Sequence, residues 1–343
     1  KTSLGVNANV DWTCSLVEDP ANDWLRIVSY NRTSIILEST RREEDAPRST
    51  QIAITSELAP EVNTTITVIQ YGPSIVFYDD FEWLAGYATD NTWYDANSPK
   101  NMKSWTIEQL QHGWTSWAGA SKNINVYGGS VNGNGWLKLG KTNYTGTAVT
   151  PPLSSLEDGV ETDVEVSFLA CPYTSGGNTT TNPGNHDQSI VLVGIYGPGE
   201  IVNPDTEVVV KGLTGICNAN WMRDPEEGEE LEAYITGEPV ANINGTYPVK
   251  KFTLVNYPNS KLQDVWLYPE PLNCPEAECS FMVKGVTNKT QIVIFGGGWD
   301  DALNGLAAEK YNITGISGKT YTGNFQPNIN RLFIDNFMVK MAQ

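Results

Sequence analysis

In the stretches RSTQIAITS (Arg48 to Ser56) and NTTITVIQYG (Asn63 to Gly72), apolar side chains fall on every second residue. Ile52 and Ile54 share one face of the first stretch, and Ile66 and Val68 share one face of the second. A period of two places successive side chains on opposite sides of an extended backbone, so both stretches are expected to be strands with one buried face. SIILES (Ser34 to Ser39) supplies another. Further along, DVEVSFLA (Asp163 to Ala170), SIVLVGIYG (Ser189 to Gly197), KKFTLVNY (Lys250 to Tyr257), TQIVIFGG (Thr290 to Gly297) and RLFIDNFMVKM (Arg331 to Met341) read the same way, with Gly, Pro and Asn between them. Leu/Ala/Glu/Lys runs at helical spacing are absent, and DPEEGEELEAYI (Asp224 to Ile235) holds at most one helical turn in an acidic loop. The pattern predicts an all-β chain.

A break falls at QYGPS (Gln70 to Ser74), where Gly72-Pro73 ends one strand and offers a hinge. Residues 1–73 carry 6 basic and 10 acidic side chains, and the remainder carries 16 and 30. The spacing of strands before the break suits a small antiparallel sandwich. Residues 74–343 show no alternation of strands with helices, which points to a larger jelly roll or related two-sheet sandwich.

The net charge of -18 repels nucleic-acid phosphate and anionic lipid and suits neutral ligands and divalent cations. No apolar run reaches the roughly 18–20 residues that a membrane span needs, so the chain is not expected to span a membrane. The two histidines, His112 and His186, are too few for a His-rich zinc site. The five cysteines include no CxxC pair; in an oxidising compartment Cys274 and Cys279 could close one small loop. The start at Lys1 reads as a processed or truncated chain whose export signal is out of view.

Within residues 5–72, VNANVDWTCS, DWLRIV, RSTQIAITS and TTITVIQYG follow in an order that resembles a BACON domain. That family is a small immunoglobulin-like sandwich of Bacteroidetes, often placed beside carbohydrate-active modules. The matching marks are Asn9, Asp11-Trp12, Trp24-Leu25, Arg48-Ser49 and Gln70-Tyr71-Gly72. The resemblance implies an exported, surface-associated protein of a glycan-using bacterium, with the small domain as a spacer and an outer-membrane lipid anchor elsewhere in the full protein. An earlier strand usual in the family is short or absent before Lys1. More loosely, residues 74–343 are similar to jelly-roll carbohydrate-binding and adhesion modules. That likeness rests on DDFEWL at the opening, TAVTPPLS, DVEVSF midway and RLFIDNFMVK at the close.

Three sets of residues bear on chemistry. In FYDDFEWL (Phe77 to Leu84), a continuous strand puts Asp80 and Glu82 on one side and Asp79, Phe81 and Trp83 on the other. Calcium takes six to eight oxygens, so other ligands are needed. The jelly-roll resemblance implies that first and last strands share a structural calcium, which makes Asp80, Glu82 and Asp335 its candidate ligands. Next, Glu161, Asp163 and Glu165 match the E-x-D-x-E catalytic strand of lichenase-type β-glucanases, with Glu161 as nucleophile and Glu165 as general acid/base. Retention needs carboxyl groups about 5–5.5 Å apart, and a solvated strand face is the competing reading. Finally, Trp93, Tyr94, Trp114, Trp117 and Trp299 lie in polar, Gly-bearing stretches. Aromatic planes stack on the C–H faces of sugars, so these are candidate glycan contacts, whereas Trp12 and Trp24 read as packing residues.

The expected role is non-catalytic binding of a polysaccharide or host glycan, or adhesion, at the cell surface or in the periplasm. A β-glucanase-like jelly-roll hydrolase acting through Glu161 and Glu165, and a ligand-free structural surface protein, remain as alternatives.

Overall fold

The computed structural model describes residues 2–6, 8–17, 23–40, 42–44, 47–84, 100–102, 105, 107–110, 112–118, 125–131, 134–140, 146–172, 174–175, 185–187, 190–216, 242–254, 278–296, 310–314, 320–326 and 331–342. Trp93, Tyr94, Trp299, Cys274 and the acidic stretch Asp224 to Ile235 lie outside them. The chain divides into two compact units, Lys1–Ile75 and Val76–Gln343. Among the described residues the single α-helix is the one-turn Ile107–Leu110, and no helix is long and apolar enough to cross a membrane.

The first unit contains β1 (Thr2–Gly5), β2 (Thr13–Leu16), β3 (Leu25–Asn31), β4 (Ser34–Ser39), β5 (Arg48–Thr55) and β6 (Thr64–Gln70). They form two antiparallel sheets, ordered β1-β4-β3 and β2-β5-β6. The alternation in the sequence becomes one-sided burial. Ile52 is fully buried with Trp24, Leu25, Ile35 and Leu37, and Ile54, Ile66 and Val68 pack against that cluster. Arg48 closes one end: its guanidinium lies 4.7 Å from the centre of the Trp24 ring and donates to Gln70 and Thr40.

The second unit contains β7 (Ile75–Asp79), β8 (Lys100–Asn101), β9 (Thr115–Ala118), β10 (Val126–Val131), β11 (Asn134–Leu139), β12 (Thr147–Val149), β13 (Thr162–Pro172), β14 (Thr174–Ser175), β15 (Asn185–Asp187), β16 (Ile190–Tyr196), β17 (Glu200–Ile201), β18 (Thr206–Ile216), β19 (Ile243–Thr253), β20 (Glu278–Val286), β21 (Gln291–Gly296), β22 (Lys310–Thr314), β23 (Thr320–Gln326) and β24 (Leu332–Met341). One sheet runs β17-β20-β13-β24-β11-β10-β8, with β7 also paired to β24. Thus the first and last strands of this unit lie side by side. A smaller sheet runs β14-β15-β23-β22.

The layer facing the eight-stranded sheet is closed on itself, as the ring β12-β21-β16-β19-β18-β9. Closure depends on β18. Its first half pairs with β19, a register shift follows between Val210 and Leu213, and its last residues pair with β9. Gly212 sits in that bulge at φ +63°, a conformation that glycine adopts without strain, and its N–H is held by Asn244 Oδ1.

The unit therefore has two cores. Val164, Val166, Phe168, Phe281, Val283, Ile334 and Phe337 of the large sheet meet Ala148, Val191, Val193, Ile292 and Ile294 of the barrel wall. On the other side of that wall, Val149, Ile190, Leu192, Val293 and Phe295 pack inside the barrel with Trp117, Val208, Val210, Ile243 and Val249. β16 and β21 are buried on both faces, which is why their sequences are continuous apolar runs rather than alternating ones.

Candidate functional site

The strand reading of FYDDFEWL fails at Asp79. β7 ends there, Phe81 takes φ +56°, and Glu82–Leu84 form a 3-10 turn. A bulky residue with positive φ is rare and must be held in place. Asp79 Oδ1 accepts the Phe81 N–H at 2.8 Å, and the Phe81 carbonyl accepts from Leu84 N. This is a side chain bonding its own backbone two residues on, in an Asx turn. Gly135 fits under it, because a Cβ there would stand 1.6 Å from the Phe81 carbonyl oxygen.

Asp79 also accepts from both neighbouring indoles, Trp83 Nε1 at 2.9 Å and Trp114 Nε1 at 2.6 Å. The inward carboxylate of the motif is therefore a structural hub. Burial pushes its pKa up to about 6 against the pull of its three donors, and the charge of Asp80 adds to the rise. His112 stacks on Trp83 with ring centres 4.0 Å apart, and burial lowers its pKa against the attraction of Asp80.

Of the proposed calcium ligands, Asp80 accepts the Glu82 N–H. Asp335 is buried and accepts from Asn336 N, while the Tyr78 hydroxyl donates to Asn336 Oδ1 across the β7–β24 seam. Burial first, and then the charges of Asp80, Glu82 and Asp79, raise Asp335 to about 7 against the pull of the Asn336 N–H. Glu82 is raised by burial and by Asp80. The four carboxylates feel one another. Even so, among the described residues no three His, Cys, Asp or Glu side chains stand together in a geometry that could hold a metal ion.

Glu161, Asp163 and Glu165 are all exposed. Asp163 and Glu165 lie on the face of β13 opposite Val164, Val166 and Phe168, and Glu161 just precedes the strand. Glu165 has Met282 and Lys340 as its cross-strand neighbours, and Asp163 Oδ1 accepts the Gly285 N–H at a bulge in β20. Val160 is 42% exposed and Val164 is fully buried, so the core face begins at Val164. These carboxylates occupy an open sheet face.

The tryptophan expectation needs correction. Trp114 is fully buried and Trp117 is 5% exposed, so neither presents a ring face to a sugar. Trp114 packs on Phe81 and Phe337 with its N–H captured by Asp79. Trp117 points into the barrel among Tyr196, Tyr247 and Phe295. Their polar surroundings in sequence were misleading because Asp79 supplies the acceptor that the Trp114 N–H requires. Cys171 is a buried free thiol, and Cys279 is buried as well. Burial, then the charge of Glu278, pushes Cys279 up to about 12.

Two aromatic groupings went unrecognised in the sequence. In the first unit, Tyr30 is 44% exposed and stacks on half-buried Trp12, with ring centres 5.5 Å apart and planes 29° apart. Asp11 and Arg32 stand beside the pair with their charged groups 3.5 Å apart and their side chains 79% and 71% exposed. The ring pair is braced: Trp12 Nε1 donates to the Arg32 carbonyl, and Asn31 Oδ1 caps the Thr33 and Ser34 N–H groups. The second grouping is half-buried Tyr196 and Tyr247 around Trp117 at the barrel wall.

No protein-family model matches the chain, and no curated protein matches it in sequence. Among solved structures it is similar to the secreted serine protease VesC from Vibrio cholerae, at 8% identity and a TM-score of 0.13, over 83% of this chain and 42% of that one. A superposition that loose carries no argument about fold or activity.

Proposed function

We propose that this protein binds neutral glycans without cleaving them, as an exported surface or periplasmic component of a glycan-using bacterium. The observation that carries the reading is the exposed Tyr30 ring, braced on Trp12 and flanked by Asp11 and Arg32. A sugar contact needs an apolar plane with polar groups at its edge, held on a rigid scaffold, and this grouping has all three. The hydrolase alternative loses ground because Glu161, Asp163 and Glu165 are exposed on an open sheet face, with no wall among the described residues to exclude water from them. The BACON resemblance of the first unit and the jelly-roll resemblance of the second are consistent with the same role, as analogy.

Calcium at the β7–β24 seam is the second element of the proposal. Its support is that the charges of Asp80, Glu82 and Asp79 all act unfavourably on Asp335, which a divalent cation would relieve; since no three of these carboxylates stand at ligand geometry, binding would have to draw them together.

Affinity electrophoresis through gels containing soluble β-glucan, xylan or mucin tests the reading. The native chain is expected to be retarded by at least one polymer, to release no reducing ends from it, and to lose retardation on Tyr30→Ala. Release of reducing ends that stops in Glu161→Gln would replace the binder with the enzyme.

A further inference from the structure

From the β16–β19 seam of the barrel we infer a second sugar-binding position, formed by Tyr196 and Tyr247 over Trp117 and suited to a neutral pyranose with equatorial substituents. This rests on the glycan-binding reading and deepens it.

The seam follows from the strand pairing. β16 pairs with β19 only from Ile190 to Val193, against Thr253 to Lys250. Both strands continue past that point. β16 runs on through Gly194 and Ile195 to Tyr196, still paired with β21 on its other side. β19 extends in the opposite direction through Tyr247, paired there with β18. Between the two strands the ladder has stopped, and the two tyrosines, which the register would place opposite each other, both contact the Trp117 ring.

Their geometry is specific. Tyr196 meets the Trp117 ring edge to face at 5.3 Å and 84°, and Tyr247 meets it at 5.4 Å and 56°. Trp117 is itself locked at 72° against Phe295, 5.9 Å away. Gly245, at φ +157°, leaves room for the Tyr247 ring, since a Cβ there would lie 3.3–3.4 Å from its ring edge and hydroxyl. Both tyrosines are half-buried, whereas the remaining barrel side chains around them, Val208, Val210, Val249 and Phe295, are buried. The open side of the cluster is thus two phenol rings on a rigid aromatic base.

Such a surface selects its ligand by chemistry. A pyranose with equatorial hydroxyls exposes axial C–H bonds on its flat faces, which pack on aromatic planes, while phenol hydroxyls donate to and accept from its rim. Burial, then the neighbouring Tyr196, raises the Tyr247 phenol, so its hydroxyl stays able to donate near neutral pH. An anionic sugar would also meet a chain of net charge -18.

The test titrates the whole chain with laminarihexaose, cellohexaose and xylohexaose by calorimetry, with sialyllactose as the anionic comparison. Tyr196→Ala and Tyr247→Ala are each expected to weaken binding of a neutral hexasaccharide about tenfold, and Tyr247→Phe to keep most of it. Melting temperatures of all three variants check that the barrel is intact. If folded Tyr196→Ala and Tyr247→Ala bind as tightly as the native chain while Tyr30→Ala does not, the seam is overturned and glycan binding stands. If no hexasaccharide binds the native chain and no polymer retards it, the glycan reading falls and the seam falls with it. Preference for sialyllactose overturns the assignment to neutral sugars.

Discussion

Removing the Asp79 carboxylate with Asp79→Ala should destabilise the second unit, and more so at mildly acidic pH. Three N–H groups lose their acceptor: Phe81 N and Trp114 Nε1, both in buried residues, and Trp83 Nε1, which is half-buried. At about 1–3 kcal/mol for each buried orphan and less for Trp83, the loss is roughly 5 kcal/mol. Against this, the native carboxylate is itself unfavourable when ionised. Its pKa is about 6 in the fold against 3.8 in the unfolded chain, so folding favours the protonated form. The stability tied to that raised pKa is fully present below about 3.8 and is lost as pH rises through about 6. Ionising the buried group costs about 3 kcal/mol at pH 7.5 and about 1.6 kcal/mol at pH 5, and the alanine variant escapes that cost. The net loss on Asp79→Ala is then roughly 2 kcal/mol at pH 7.5 and roughly 3.4 kcal/mol at pH 5. At about 2–4 °C per kcal/mol for a unit of this size, calorimetry should find the gap in melting temperature widening by several degrees between the two pH values. A gap that stays constant, or narrows toward pH 5, would refute the hub as described.

Other expectations follow from the same geometry. Calcium at one hundred times its dissociation constant should stabilise the second unit by about 2.7 kcal/mol, and Asp335→Asn should abolish the shift; a melting temperature that chelator leaves unchanged sinks the cation. Glu161→Gln and Glu165→Gln, on an exposed face, should move stability by no more than about 0.5 kcal/mol in urea titrations. Gly135→Ala should reach or pass the upper end of the roughly 1–3 kcal/mol range for overpacking, because its methyl group would overlap the Phe81 carbonyl; soluble yield and thermal melting read this out, and native-like melting would contradict it.

The first unit was legible in sequence because its strands have one wet and one dry face, so alternation at Ile52, Ile54, Ile66 and Val68 maps directly onto burial. The barrel was not. Its closure depends on a bulge at Gly212 and on pairings between strands far apart in sequence, which periodicity does not encode. In FYDDFEWL the alternation rule places Asp79 and Phe81 together on the buried side, as the structure has them, but it assumes that extended backbone continues past Asp79, and the left-handed Phe81 and the 3-10 turn that follow end the strand there. An Asp two residues before Phe81 was a legible Asx-turn signal. Tyr196 and Tyr247 were hidden for a different reason: Tyr196 ends an apolar run and passes for a core residue, Tyr247 stands between Thr246 and Pro248, and nothing pairs the two until their strands are seen to be neighbours.

The central claim is glycan binding without cleavage. A glycan array probed with the native chain, in calcium and in chelator, tests it most directly. The account predicts signal on neutral, equatorially substituted glycans, weaker in chelator and absent for Tyr30→Ala. A blank array in both conditions would contradict it.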